Sequence, residues 1–397
     1  MPAKLRKIVG GVCAPHGFAA AAISAGIKYP VGTRDDMGLV VSAMPCVAAA
    51  TFTTNKVKAA PVLLSMRHVK SKTCRGVILN SGNANACTGE PGLSDAVAMA
   101  ATTAAVLSTR PEEILVCSTG RIGVPLPIEK MAAVIPALAA RLDTESSTAV
   151  ARAIMTSDTV QKEAAREFVS GGRKFRVGGL AKGAGMIDPN MATMLCVITT
   201  DAAFSKAELG KMLRTAVERT FNRITIDGDM STNDTVILLA SGTQGQPAEA
   251  DFQAALDAVA LDLATKIVLD GEGVSRFVEV EVRGAKSVKD ARLAAEAVAN
   301  STLTKCAWAG GDPNWGRILD AVGYSGAAMN PDTASIDYDK VAAVRNGMPA
   351  KTPFAKLQAV AAKKAFKVTV DLHLGAAAYN VFTTDLTEEY VRLNLGE

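Results

Sequence analysis

The sequence predicts a protein of the mixed α/β class, because strand-like and helix-like segments both occur along the whole chain. Apolar runs rich in β-branched residues indicate buried strands, whereas alanine-rich or amphipathic segments indicate helices. The chain has 397 residues, of which 49% are hydrophobic and only 5% aromatic. It is long enough for a large core of mainly aliphatic side chains, in one large domain or in two tightly joined halves.

In the first half, strands are predicted at residues 39–53, 77–80, 114–117 and 175–180, and helices at 93–107, 128–142 and 147–155. Residues 81–89, after the second of these strands, are dense in small polar side chains. They could form a hydrogen-bonded loop or a wall of an active site. The strand at 114–117 runs into Ser118-Thr119-Gly120. Such an ending can offer a hydroxyl and a backbone N–H to an oxyanion, although Ser/Thr-Gly turns are common.

In the second half, helices are predicted at 206–221, with Ser205 as the N-cap, and at 252–269 and 291–299. Strands are predicted at 194–200 and 277–282, with a final strand pair at 368–374 and 378–384. Residues 224–235 contain three aspartates and superficially suggest a loop for a hard cation. They lack the EF-hand spacing and its closing glutamate, so no metal is predicted there.

Charge and motif content argue against several other functions. The formal net charge is +4 and no block of Lys and Arg stands out, so nucleic-acid binding has no electrostatic footprint. Neither a Gly-x-x-x-x-Gly-Lys-Ser/Thr loop nor a strand followed by Gly-x-Gly-x-x-Gly occurs, so no nucleotide cofactor is predicted. The three histidines lie far apart and form no metal motif. A Ser-His-Asp triad is not excluded by spacing, but no histidine has a recognisable catalytic context.

Cysteine usage and hydropathy predict a soluble cytoplasmic protein. The seven cysteines are scattered, odd in number and without a Cys-x-x-Cys pair, which favours reduced thiols over a disulfide framework. Gly10, Gly11, Pro15 and His16 interrupt the apolar stretch near the start, so a signal peptide is not predicted. No apolar run approaches the roughly 18 residues that a membrane span needs.

The segment from Lys182 to Asp201 combines a Gly/Pro turn with the buried strand at 194–200, and Thr193 lies at the junction. The Thr193 hydroxyl can attack the carbonyl of Ala192 if the turn holds the two groups at reacting distance. Such positioning can supply roughly 7–11 kcal/mol of a barrier. The cut would make Thr193 an N-terminus that carries both nucleophile and base. An ordinary loop before a core strand would show the same pattern.

An N-terminal threonine would also explain how nucleophilic catalysis proceeds without histidine. A free α-amine has a pKa of about 7.7–8.0 and is partly neutral near pH 7, whereas a lysine at about 10.4 would need a large shift. The amine of Thr193 is therefore the base that the sequence favours.

The run Lys182-Gly-Ala-Gly-Met-Ile-Asp-Pro-Asn-Met-Ala-Thr-Met-Leu resembles the self-cleaving segment of the ornithine acetyltransferase family. The rest of the chain resembles that family as well, except at its C-terminal end. The resemblance implies a mixed α/β sandwich in which sheets are layered with helices, and no cofactor. It also implies a cut between Ala192 and Thr193, giving an α chain of residues 1–192 and a β chain of residues 193–397. Two α and two β chains would form a heterotetramer.

The activity implied by the resemblance is ping-pong transfer of acetyl from N2-acetyl-L-ornithine to L-glutamate through an acetyl-Thr193 intermediate, a recycling step of arginine biosynthesis. Thr119 and Gly120 would form the oxyanion hole. Substrate would be bound by Thr156, Lys182, Thr193, Glu272 and Asn394. A helix-end cap at Thr156 and a plain helix terminus at Glu272 are the structural alternatives. Some family members also take acetyl from acetyl-CoA, which the sequence does not decide.

The C-terminal end departs from the family pattern, in which an asparagine is followed about five residues later by a terminal Ser or Thr. Asn394 matches the asparagine, but the chain stops at Glu397. Losing one neutral hydrogen bond costs about 0.5–1.5 kcal/mol, so weaker binding without loss of chemistry is expected. Two other classes stay open: an N-terminal-nucleophile aminopeptidase or amidohydrolase, and an uncut binding protein of the same fold.

Overall fold

The computed structural model describes residues 4–188 and 194–395. The chain forms two compact units. The large unit consists of Met1–Asn222 and Met230–Ile267, and the small unit consists of Arg223–Asp229 and Val268–Glu397. Each unit combines a β-sheet with helices, which confirms the predicted mixed α/β class.

The large unit contains a sheet of nine strands within the described residues. These strands are β1 (Arg6–Lys7), β2 (Phe18–Ile23), β3 (Met37–Phe52), β4 (Cys74–Asn80), β5 (Ile114–Ser118), β6 (Lys162–Ser170), β7 (Arg173–Lys182), β8 (Leu195–Thr200) and β9 (Thr235–Ala240). Their order is β1-β6-β7-β8-β9-β3-β4-β5, and β2 pairs with β3. β8 therefore lies between β7, which is antiparallel to it, and β9, which is parallel.

Strand β3 joins two parts of this sheet. Its first residues pair with β2 and β4, whereas its last six pair with β9. Between them the register shifts from Val41 to Cys46, and residues 43–45 are exposed. Pro45 lies in this stretch and has no N–H to give to a ladder, as expected where pairing is interrupted. The bend allows the two parts of the sheet to pack against each other.

Helices of the large unit are α1 (Ala60–His68), α2 (Gly89–Val106), α3 (Ile128–Ala140), α4 (Ser147–Ala153), α5 (Lys206–Arg219) and most of α6 (Glu249–Leu269). Alternate residues of β4 and β5 enter two different cores, as the period of a strand requires. Ile78 and Val116 pack with Met99 of α2 and with α3. Leu115 packs with Val197 of β8 in the other core, between the two parts of the sheet. The implied sandwich of layered sheets and helices is therefore confirmed in this unit.

The capping prediction for α5 is confirmed. Ser205 Oγ accepts a hydrogen bond from Glu208 N at 3.3 Å, and Glu208 Oε2 accepts one from Ser205 N at 2.8 Å. This reciprocal pair satisfies two N–H groups at the helix start. The residues that the helical spacing placed on one face are buried: Leu209, Met212, Leu213, Ala216 and Val217.

The small unit contains a second sheet, with strands β10 (Phe277–Ala285), β11 (Ser335–Tyr338), β12 (Val341–Arg345), β13 (Met348–Pro349), β14 (Ala365–Asp371) and β15 (Ala377–Thr384). Its helices are α7 (Val288–Asn300), α8 (Thr302–Ala309), α9 (Trp315–Tyr324), α10 (Phe354–Ala361) and α11 (Glu388–Leu393). The strand order is β13-β12-β11-β14-β10-β15.

The last two predicted strands, β14 and β15, both exist, but they are not paired with each other. β10 lies between them, with Val280 opposite Val368 on one side and Val381 on the other. Val278, Val280 and Val282 are fully buried, which suits β10 to a central position.

All seven cysteines are free thiols. Burial raises the pKa of the Cys117 thiol to about 12, so this group stays neutral. Within residues 4–188 and 194–395, none of the helices is both long and apolar enough to cross a bilayer.

Candidate active site

The predicted nucleophile Thr193 and the bond from Ala192 to Thr193 fall in residues 189–193, outside the described residues. The residues on either side of this segment are described. β7 ends at Lys182, which lies opposite Leu195 at the start of β8. Met194 directly follows Thr193 in the chain and is buried. Lys182 and Met194 therefore mark the place in the large unit around which a site would form.

The turn after β5 is held tightly to the end of β4. Thr119 N donates to Asn80 O at 3.0 Å, and Ser118 Oγ donates to Asn80 Oδ1 at 2.6 Å. Gly120 has a φ of +132°, and a Cβ there would lie 2.3 Å from the carbonyl carbon of Gly82. No residue with a side chain fits this position, so glycine is required by both conformation and space.

Lys182 and Thr119, which the sequence places 63 residues apart, are brought together. Both side chains are buried, and Lys182 Nζ donates to Thr119 Oγ1 at 3.4 Å. The hydroxyl of Thr119 can accept this bond and still donate its own proton to another group. The predicted oxyanion turn therefore lies beside the end of β7.

Asp158 connects several predicted site residues. Its Oδ1 accepts hydrogen bonds from Lys162 Nζ at 2.6 Å and from Gly183 N at 2.7 Å. Its Oδ2 accepts one from Thr156 N at 3.0 Å and lies 3.9 Å from Lys182 Nζ. Thr156 is thereby linked to Lys182 through one carboxylate.

Asp158 is ionised in spite of its burial. Burial acts to raise the pKa of Asp158, but the ammonium groups of Lys182 and Lys162, together with its hydrogen bonds, lower it to about 2. Because α4 ends at Ala153, the alternative in which Thr156 caps a helix is wrong. Asp158, two residues after Thr156, is not among the site residues predicted from the sequence. Sequence spacing does not mark it, because residues 158–162 do not form a helix and Lys182 is 24 residues away.

Asp234 contacts the start of β8. Its Oδ1 accepts a hydrogen bond from Met194 N at 2.8 Å, and Thr235 N donates to Met194 O at 3.0 Å. Burial raises the pKa of Asp234 well above its usual range, although the Met194 N–H and the charge of Lys182 act in the opposite direction. Asn233 Nδ2 donates to Ser118 O at 2.8 Å. Residues 233–235 therefore join the start of β8 to the turn after β5.

Asp234 is one of the three aspartates of residues 224–235, the stretch that superficially suggests a loop for a hard cation. Among the described residues, no group of three or more His, Cys, Asp and Glu side chains is placed to hold a metal ion. The sequence signal for Asp234 is its position directly before the apolar run 235–240, which predicts that it lies at the start of a strand.

Residues 81–89 turn out to be a hydrogen-bonded loop that also supports the turn after β5. Ser81 Oγ donates to Ala153 O at 2.6 Å, and Asn85 Nδ2 donates to Gly92 O at 2.8 Å. The backbone of Gly82 and Asn83 lies against Gly120. The hydrogen-bonded loop is confirmed, and a role of this loop as a wall of the active site stays a prediction.

Glu272 and Asn394 are brought together in the small unit. Asn394 Nδ2 donates to Glu272 Oε2 at 2.8 Å and to Tyr390 O at 2.9 Å. Tyr390 Oη donates to Asp227 Oδ2 at 3.2 Å. Burial, with Asp227 and Glu272 adding to it, raises the pKa of the Tyr390 hydroxyl. Glu272 is half-buried and Asn394 is exposed, so this is an accessible and predominantly acidic cluster.

Comparison with known proteins identifies the family. The sequence model of the ArgJ family matches residues 19–396. The arginine biosynthesis bifunctional protein ArgJ of Geobacter sulfurreducens is 50% identical over 386 residues, which cover 95% of this chain and 98% of that protein. The glutamate N-acetyltransferase of Methanothermobacter thermautotrophicus is 43% identical over 402 residues, which cover 98% of each.

Among solved structures, the ornithine acetyltransferase of Mycobacterium tuberculosis complexed with ornithine is 39% identical. The match covers 48% of this chain and 100% of that chain, with a TM-score of 0.43. The family model and the two relatives, by contrast, extend over nearly the whole sequence. The chain belongs to the ArgJ family.

Proposed function

We propose that this protein is a glutamate N-acetyltransferase of arginine biosynthesis that moves acetyl from N2-acetyl-L-ornithine to L-glutamate. Membership of the ArgJ family supports the reaction class. The observation that carries the proposal is the 3.4 Å contact between Lys182 Nζ and Thr119 Oγ1. It brings a donor turn to the strand end next to the predicted nucleophilic segment, as an oxyanion hole requires.

The first step is self-cleavage. The Thr193 hydroxyl adds to the Ala192 carbonyl, the Thr193 nitrogen leaves as an amine, and water hydrolyses the resulting ester. The products are residues 1–192 with a carboxylate end and residues 193–397 with a free amine. Because β8 pairs with β7 on one side and β9 on the other, the two chains would stay joined within one sheet.

The second step is acetyl transfer. Thr193 Oγ attacks the acetyl carbonyl of acetylornithine, the α-amine takes the hydroxyl proton, and ornithine leaves with that proton on its nitrogen. The α-amine of glutamate then attacks the acetyl ester, and its proton returns to Thr193. Since Thr119 N is engaged with Asn80 O, the donors offered to the oxyanion are the Thr119 hydroxyl and the Gly120 N–H. The bond from Lys182 makes that hydroxyl a stronger donor.

Different residues would bind the negatively and the positively charged groups of the substrate. Asp158 between Lys162 and Lys182 leaves a formal charge of +1 when all three are ionised, which suits a substrate carboxylate near Lys182 and Thr156. Glu272, oriented by Asn394, suits the side-chain ammonium of ornithine. Acetyl-CoA is a further candidate donor. We also propose a cytoplasmic heterotetramer of two α and two β chains, with no cofactor.

The test is the intact mass of the purified protein followed by a transfer assay. Two fragments, each about half of 41.1 kDa, with a new N-terminus at Thr193 and formation of N-acetylglutamate are expected. Asp188-Pro189 is an acid-labile bond, so a new end at Pro189 would be an artefact of sample preparation. Free acetate in place of acetylglutamate would indicate a hydrolase, and an uncut inactive chain would indicate a binding protein.

A further inference from the structure

The two oxygens of the Asp234 carboxyl group have different environments. Oδ1 accepts the backbone N–H of Met194 at 2.8 Å. Oδ2 is buried and accepts no well-formed hydrogen bond from the described residues, because the Thr53 hydroxyl, which acts to lower the pKa of this carboxyl group, donates to Ser231 O at 2.7 Å. A buried carboxyl oxygen without a well-formed hydrogen bond is uncommon and calls for an explanation, of which a role in catalysis is one.

Asp201, at the opposite end of β8, provides the contrast. It is also fully buried, and its oxygens accept Arg176 N at 2.8 Å and His16 N at 3.3 Å. Burial raises the pKa of Asp201 as well. The two carboxyl groups lie near opposite ends of β8 and both accept backbone N–H groups. Asp201 accepts them from Arg176 of β7 and from His16, whereas Asp234 accepts one from Met194, the residue that follows Thr193.

We infer that Asp234 is a positioning residue, which holds the start of β8 through the Met194 N–H and thereby places Thr193 for both self-cleavage and acetyl transfer. The inference rests on the proposed function, because it assigns Asp234 to the Thr193 chemistry. Both backbone polar groups of Met194 are hydrogen-bonded: its N–H donates to Asp234 Oδ1, and its carbonyl oxygen accepts from Thr235 N. A small misplacement of a reacting group can cost about 10²-fold in rate.

The raised pKa of Asp234 indicates which substitute should work. A buried carboxyl group that stays protonated is neutral, with one oxygen that accepts and one O–H that donates. Asparagine reproduces that pattern, with its oxygen towards Met194 N and its NH₂ in place of the O–H. Alanine removes the acceptor and leaves the Met194 N–H without it. Comparing the two variants therefore tests whether the rates depend on the hydrogen bond to Met194, because asparagine keeps the acceptor and alanine removes it.

The experiment compares Asp234→Ala, Asp234→Asn and the matched control Asp201→Ala in the full chain. The rate at which the two fragments appear, the melting temperature, and kcat and KM of the cut protein are measured for each. Asp234→Ala should cut at least tenfold more slowly, and its cut fraction should lose at least tenfold in kcat with KM within twofold. Asp234→Asn should stay within twofold of the unaltered protein in every rate. Asp201→Ala should lower the melting temperature while leaving cutting and kcat per folded molecule within twofold.

Normal cutting and normal kcat per folded molecule in Asp234→Ala would overturn the inference. Equal loss in the asparagine and alanine variants would also overturn it, because the hydrogen bond to Met194 would then not be the cause. If the alanine variant does not fold, Asp234→Ser takes its place with the same criteria. If the proposed function itself is wrong, the unaltered protein will not be cut at Thr193 or will not transfer acetyl. That outcome differs from a failure of the inference about Asp234, in which the unaltered protein is cut and active.

Discussion

The charged groups of the large unit and those of the small unit are organised in opposite ways. Asp158 and Lys162 are completely buried, and Lys182 nearly so, with 0%, 0% and 3% of their side chains exposed. The Glu272 and Asn394 pair is instead half-buried and exposed, respectively. Buried charges act in a low dielectric and hold one geometry, whereas accessible charges are screened by water. On the proposed function, the buried group would fix the geometry around the reacting acetyl group, and the accessible pair would select the side chain of ornithine.

The largest expected effect is at Thr193, the proposed nucleophile. Thr193→Ala should give a folded, uncut chain without acetyl transfer, a loss on the order of 10⁴-fold or more, because both steps use its hydroxyl. Fragment mass and acetylglutamate formation are the measurements. Thr193→Ser is the matched control and should retain some cutting. Measurable transfer by a homogeneous alanine variant would refute the mechanism.

Asp158→Asn should destabilise the large unit by about 3–5 kcal/mol, because it leaves buried ammonium groups without their carboxylate. Denaturant unfolding of uncut Thr193→Ala protein measures this. The pKa of Asp158 is lowered to about 2, below its ordinary value near 3.9. Its contribution is therefore fully present above about pH 4, and the difference from the variant should shrink as pH falls towards 2.

Adding Lys162→Met to Asp158→Asn is the control for that prediction. It removes one of the uncompensated charges and should restore part of the lost free energy of unfolding. A double variant no more stable than Asp158→Asn alone would show that the ion pair is not the reason for the loss.

Thr119→Ala should lower kcat by about 10²–10³-fold, equivalent to about 2.7–4 kcal/mol, because one oxyanion donor is lost. Its melting temperature should hardly change. Thr103→Ala is a matched control, since that buried hydroxyl donates to Met99 O at 2.8 Å within α2. The control should cost stability and no turnover. If Thr119→Ala loses stability but keeps its turnover, as expected for the control, Thr119 has a structural role.

Glu272→Gln should raise KM for acetylornithine by about 10–100-fold, because hydrogen bonds to charged groups contribute about 1.5–3 kcal/mol. Turnover should change little, since Glu272 binds the side chain and not the reacting acetyl group. Steady-state kinetics measure both constants. Glu389→Gln, an exposed carboxylate on α11, is the control and should leave KM unchanged. An effect confined to kcat would remove Glu272 from substrate binding.

The smallest expected effect is at the C-terminal end. Appending a family-like tail that ends in serine should lower KM for acetylornithine by less than about 13-fold, equivalent to about 0.5–1.5 kcal/mol, with kcat unchanged. A tail of the same length ending in alanine is the control. If both tails leave every constant unchanged, the tail is not part of this site and Asn394 loses its assignment too.

The sequence predicts elements whose pattern is local. α5 was foreseen because its apolar spacing and the Ser205 cap are written in adjacent residues. β2, with the sequence FAAAAI, was missed because alanine does not favour a strand. Its strand state comes from pairing with β3, where Ala20 lies opposite Val40.

For site residues too, the sequence reveals those that belong to a local motif and not those that depend on distant contacts. Lys182 could be selected as a candidate from the sequence, because it begins the run that resembles the self-cleaving segment of the family. Asp158 and Asp234 could not, because what sets them apart is burial beside groups that are distant in the sequence. Lys182 comes to Asp158 from β7, and Met194 comes to Asp234 from β8. Neither contact follows from residue type or spacing.

If the chain cuts itself as proposed, the central place of β8 in the sheet also sets how much of the chain must be made first. Met194 is held by Asp234 and Thr235, which the ribosome adds 40 and 41 residues later. A nascent chain that stops before Asp234 contains every residue of the cleaved segment but lacks the strand beside it. On the proposed function, self-cleavage would therefore follow the synthesis and pairing of β9, and a chain truncated before Asp234 is expected to stay uncut.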